Sequence, residues 1–259
     1  MTLENKLGPI SIDREKAPYI HTKRPEVISS GEFLLPSGRR MSVVYNPNMR
    51  LNTHMQYTFG QNYLTIGNSA RENIYNARGG DLPSSLAIRS GIRHEYSHDT
   101  YEAILSTHPW LTDKLKELFL RPELYPVWTF FVQRLFEDPI YKEFLRDEST
   151  GKHDYRGIQH ELFAFAAESE EMRSVCYNLE TVRAAKAALD SLKKMDRRMY
   201  EQLRVWGVIN NKDFKKDYPT IRREMELLIE DRAPKDNSQR QVSRRQLIVD
   251  PRSIFVKNK

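Results

Sequence analysis

The stretch Gly91-Ile92-Arg93-His94-Glu95-Tyr96-Ser97-His98 places two imidazoles four positions apart, with a carboxylate beside the first. On a helix that spacing puts both rings on one face, so His94 and His98 can point at a single ion. Glu95 lies where its carboxylate can reach a water on the ion without being a ligand itself. The chemistry needs these residue types at this spacing. Zinc lowers the pKa of a water it holds towards ~7, and a neighbouring carboxylate takes the proton as the oxygen attacks a carbonyl. With 7 histidines in 259 residues, the motif arises by chance roughly 0.015 times per chain. The competing reading is a solvated helical face carrying two ordinary histidines.

A catalytic zinc takes three protein ligands and keeps a fourth position for water. Position 104, ten residues after His94, is Ile104, which excludes the three-histidine pattern HExxHxxGxxH. Three downstream candidates remain: His108, Glu117 and Glu161. Glu117 lies 19 residues after His98, a spacing that resembles the zinc aminopeptidases. Its neighbours in KLKELFLRP lack a small residue where a backbone must crowd the metal, and they describe a charged position on an amphipathic helix. His108 precedes Pro109 at a helix start and suits a different three-histidine arrangement. Glu161 lies in HELFAFAAE, where Ala164 and Ala167 are small. Small residues one turn after the Glu let its helix pack close to the histidine helix, as a shared metal demands.

HEYSH followed by a helix carrying Glu-Leu-Phe-Ala-Phe-Ala resembles the gluzincins, and within them the catalytic domain of anthrax lethal factor and related bacterial toxin proteases. The similarity covers about 120 residues, from the strand at 56–67 to about 178. It implies a zincin-like fold, Zn2+ held by His94, His98 and Glu161, and Glu95 as the catalytic base. It also implies that Tyr155, six residues before Glu161, supports the developing oxyanion, with His153 and Arg156 as the next candidates. One position departs from the pattern. The family tends to carry an acid four residues after the ligand Glu, orienting a histidine, and here Phe165 stands there. Asp99 or Glu168 is left to serve instead.

The elements that must position these residues follow from turn and capping signals. EFLLPSGRRMSVVY (32–45) reads as two short strands about a Pro-Ser-Gly turn, and QYTFGQNYLTIG (56–67) as a second such pair. NYLTIG (62–67) is expected at the sheet edge, where an extended substrate can add as a further strand. Gly79-Gly80 marks a break. Asp81 then caps a helix over about 83–105, with Pro83 in its first turn. Beyond it the chain reads helical: HPWLTDKLKELFL, then YPVWTFFVQRLFEDPIYKEFLRD. After a loop DESTGKHDYRG come IQHELFAFAAESEEMRSVCYNL and one long helix over 180–207, with a last helix near 218–231. The fold class is α+β, a small N-terminal sheet with the active-site helix followed by a mostly helical part. Residues 1–30 read as a polar arm, 31–232 as the domain and 233–259 as a basic tail.

Composition bounds the rest. No apolar run approaches 18 residues, so no membrane span is expected. The N-terminus lacks a signal-peptide pattern, and Cys176, the single cysteine, forms no intramolecular disulfide, which suits a cytoplasmic setting. The net charge of +6 is concentrated in the tail, which could touch nucleic acid. Three functions are carried forward. The first is a zinc endopeptidase cleaving a protein substrate, which the toxin-like resemblance implies is a bacterial effector delivered into a host cell. The second is a DNA-associated three-histidine zinc protease using His108 and the tail. The third is a helical binding module whose HEYSH is incidental.

Overall fold

The structure is a computed structural model that describes residues 28–47, 49, 55–58, 62–145, 153–168, 179–209 and 211–229. The basic tail, Cys176 and nearly all of the N-terminal arm lie outside those residues. The described chain is mixed α+β and forms two compact units. One holds residues 28–95 and 213–229, the other residues 96–212, and the boundary falls inside the histidine helix.

In the first unit, β1 (Ile28–Leu34), β2 (Arg40–Tyr45), β3 (Met55–Thr58) and β4 (Tyr63–Ile66) form one sheet in the order β1-β2-β4-β3. The Pro-Ser-Gly turn closes the first hairpin. Leu35 N–H donates to the Arg39 carbonyl at 2.7 Å, and Gly38 adopts φ +88°, a left-handed conformation that favours glycine. The second hairpin also forms, β3 pairing antiparallel to β4. β2 and β4 then pair in parallel, Ser42 with Tyr63 through Tyr45 with Ile66. This corrects the placement of 62–67 at the edge. β4 is internal, flanked by β2 and β3, and among the described strands β1 and β3 are the edges. The hairpin signal fixes which strands are sequence neighbours, but not which flank of the pair the parallel strand will occupy.

α1 (Asn68–Arg78) fills a stretch for which no helix was expected. Its buried residues Ala70, Ile74 and Ala77 form a narrow stripe of mostly small side chains. α2 (Leu82–Thr107) begins where capping chemistry places it. The Asp81 carboxylate accepts from Ser84 Oγ at 2.8 Å, and Gly80, at φ +88°, makes the preceding turn. Ile88 and Ile92 are fully buried. Gly91 lets α2 approach β3, since a Cβ there would lie 2.9 Å from Met55 Sδ. α9 (Phe214–Ile229) packs on β1 and β2, and Asp217 on it accepts from Ser37 N–H at 2.8 Å.

The second unit contains the end of α2 with α3 (Leu111–Phe119), α4 (Tyr125–Leu135), α5 (Pro139–Phe144), α6 (Tyr155–Ala167), α7 (Leu179–Met195) and α8 (Arg197–Val205). α7 packs against α4, α6 and α8, presenting Val182, Ala185, Leu189 and Leu192 to the core. Phe119, Phe131 and Phe163 are all fully buried, each contributing about 1.5–3 kcal/mol relative to exposure. Two expected helices are divided. The segment 125–147 breaks at Asp138-Pro139, where the Asp138 carboxylate accepts from Ile140 N–H. The long helix over 180–207 breaks at Asp196, whose side chain accepts from Met199 N–H at 2.9 Å. In both, a capping aspartate interrupts apolar periodicity that continues on either side. No helix among the described residues is long and apolar enough to cross a membrane.

Candidate metal centre

α2 runs without interruption through His94, Glu95 and His98, so the two imidazoles share the face that their spacing dictates. All three side chains are buried, at 8, 9 and 5 % exposure. α6 brings Glu161, the third member. His98 Nε2 lies 3.6 Å from Glu161 Oε1. One ligand atom each from His94, His98 and Glu161 all fall within 4.8 Å of one another. Two ligands on one tetrahedral zinc, with bonds of 2.0–2.1 Å, stand about 3.4 Å apart. The His98–Glu161 separation is therefore close to that of ligands already sharing an ion. Two nitrogens and one carboxylate oxygen are also a donor set that zinc accepts while keeping a fourth position open. Among the described residues this is the group of histidine, cysteine and acidic side chains that could hold a metal.

Glu95 is held separately. Its Oε2 accepts the backbone N–H of Tyr57, on edge strand β3, at 2.8 Å. Gly91, one turn earlier on α2, faces the Met55 side chain of the same strand. Glu95 and the strand edge thus meet at Tyr57.

α6 owes its start to Asp154, whose carboxylate accepts from Arg156 N–H at 3.1 Å and Gly157 N–H at 3.2 Å. Burial raises the pKa of Asp154, and these backbone donors oppose the rise. Beyond the candidate ligands, α2 and α6 are joined by a row of polar contacts. Tyr101 Oη donates to Gln159 Oε1 at 2.7 Å, and Gln159 in turn donates to the Thr112 carbonyl at 3.0 Å. Glu102 accepts from Arg156 Nη2 with both oxygens, at 2.7 and 2.8 Å, and lies 3.2 Å from His160 Nε2. Burial works against a charge on Glu102, but His160 and Arg156 outweigh it and hold the carboxyl down at about 2. Full burial lowers the pKa of His160, opposed in part by Glu102. The sequence reading missed this cluster. Its signal was the acid one turn after His98 on the same helical face.

The other candidates are placed elsewhere. Glu117 is exposed and pairs with Lys114 at 3.4 Å. His108 contacts Thr107 Oγ1 through Nδ1 at 2.8 Å, and its ring packs 4.4 Å from that of Trp206. Tyr155 is the first residue of α6 and not part of a loop. Its ring stacks on Trp128 at 6.2 Å, with Lys116 Nζ 4.7 Å from its centroid. Six positions on a helix turn Tyr155 about 120° away from the direction of Glu161. Phe165 is core, packed edge-on to Tyr141. Glu168 forms the C-terminal cap position of α6.

No protein-family model, curated protein or solved structure matches this chain.

Proposed function

We propose that the chain is a zinc-dependent endopeptidase of zincin-like fold acting on a protein substrate. The observation that carries this reading is the convergence of His94, His98 and Glu161 from two helices, with Glu95 beside them yet outside the group. When bound, zinc would polarise the scissile carbonyl and lower the pKa of a water towards ~7. The two imidazoles and the Glu161 carboxylate hold the ion, and the carboxylate offsets part of its charge. Glu95 removes the proton from the attacking water and returns it to the leaving nitrogen, the ordinary cycle of a general base turned acid. The bond from Tyr57 N–H orients that carboxylate without supplying a competing charge. β3 is an edge of the described sheet where an extended segment could add as a strand beside Tyr57, whose own N–H is bonded to Glu95. The resemblance to toxin proteases supports a bacterial effector cleaving a host protein in a cytosol. His108, on which the DNA-associated reading draws, lies outside this group, its ring beside Trp110 and Trp206.

Elemental analysis of dialysed, untagged protein tests the proposal. About one zinc per chain is expected, as a single three-ligand site requires. Loss of that zinc in both His94→Ala and His98→Ala would support it. A folded parent chain with no zinc and no tight uptake on titration would overturn it.

A further inference from the structure

The contacts between α2 and α6 share one antiparallel register. His98 faces Glu161, Tyr101 faces Gln159, and Glu102 faces Arg156 and His160. As numbering rises along α2 it falls along α6. Arg156 and His160 are four apart and so form one stripe on α6, while His98 and Glu102 form the matching stripe on α2. A slip by one helical turn, about 5.4 Å, would separate His98 from Glu161 by more than a shared ion tolerates. The apolar contacts nearby, such as Tyr101 with Phe163 at 4.7 Å between centroids, do not distinguish registers sharply. The charged contact does, because a displaced Arg156 or Glu102 would be left half-buried without its counter-charge.

We propose that Glu102 and Arg156, with His160 beside them, are positioning residues that set the register of α6 against α2 and so hold Glu161 at ligand distance from His98. This inference rests on the metal-centre reading above. Arg156 acts through a single nitrogen, Nη2, which donates to both oxygens of Glu102, and its buried Nε has no hydrogen-bond partner. One nitrogen is therefore what the contact requires.

The test is zinc affinity, measured by competition with a chelator on the full chain, alongside helical circular dichroism and the metal-free melting temperature. Arg156→Met should weaken zinc binding about 10–100-fold, the usual cost of losing a group that orients a ligand. Arg156→Lys, which still offers one nitrogen, should recover most of the affinity. The double variant Glu102→Leu/Arg156→Met removes the stranded charge. It should regain melting temperature over Arg156→Met without regaining zinc affinity, a split that a purely structural pair would not give. The visible spectrum of the cobalt-loaded protein should change in Arg156→Met and return in Arg156→Lys. If Arg156→Met unfolds the chain, Glu102→Gln, which keeps the side-chain shape, carries the same expected weakening. Folded variants that bind zinc within about twofold of the parent would overturn the inference while leaving the centre intact. A parent that takes up no zinc would overturn the centre and the inference together.

Discussion

Glu95 belongs to the sheet unit and Glu161 to the helical unit, and the two carboxylates are held by different means. In the sheet unit, Glu95 is fixed by the backbone N–H of an edge strand, a neutral donor. In the helical unit, Glu161 faces the imidazole of His98 and follows His160, which is tied through Glu102 to a guanidinium. The difference suits the two roles proposed for them. A base must be aimed yet remain able to accept a proton, and a neutral amide aims it without placing a full counter-charge beside it. A ligand must be kept at a fixed distance, and a charged framework behind it serves that need.

Exchanging the chemistry of each carboxylate sharpens this contrast. The largest effect is expected from Glu95→Gln, which keeps an oxygen for Tyr57 N–H but cannot take a proton. Turnover of a peptide that the parent cleaves should fall by about 10²–10⁴-fold or more, with zinc content unchanged. A folded Glu95→Gln chain that had lost its zinc would make Glu95 a ligand and dissolve the distinction. Next comes Glu161→Ala, for which zinc affinity should drop by at least about 100-fold, beyond what losing an orienting group costs. Glu117→Ala and His108→Ala are the controls, and a comparable loss in either would mean that the third ligand had been misassigned. Smallest is Tyr155→Phe. The ring stacks on Trp128 and lies under Lys116, contacts that the phenyl group retains. Zinc content, melting temperature and kcat should all stay near the parent values. A kcat loss of about 10²–10³-fold with KM unmoved would instead give the hydroxyl the oxyanion role that the resemblance implies.

How far the sequence could be read depended on whether the determining contacts were local. The Pro36-Ser37-Gly38 turn, the Asp81 cap and the four-residue histidine spacing are short-range signals, and each element appears where they place it. The grouping of Glu161 with the two histidines was legible too, from the small residues that follow it in HELFAFAAE. The strand order was not, since parallel pairing of β2 with β4 joins segments some twenty residues apart and leaves no local mark. Nor was the break at Asp196 visible, where amphipathic periodicity runs on across a capped interruption. α1 escaped notice because its buried stripe is Ala, Ile and Ala, too small to stand out from polar neighbours. The Glu102–Arg156 contact spans 54 residues and needed the structure to reveal it.

The unbroken course of α2 has a consequence for the order of events during synthesis. His94, Glu95 and His98 leave the ribosome together and can line up as soon as one helix forms. Glu161 emerges 63 residues after His98, several seconds later at ordinary elongation rates of about 5–20 residues per second. Until α6 has docked, a nascent chain offers two imidazoles and no carboxylate partner from that helix. Tight metal capture would then be a late event that reports completed tertiary structure, and apo chains awaiting α6 would be the ones exposed to chelators and proteases.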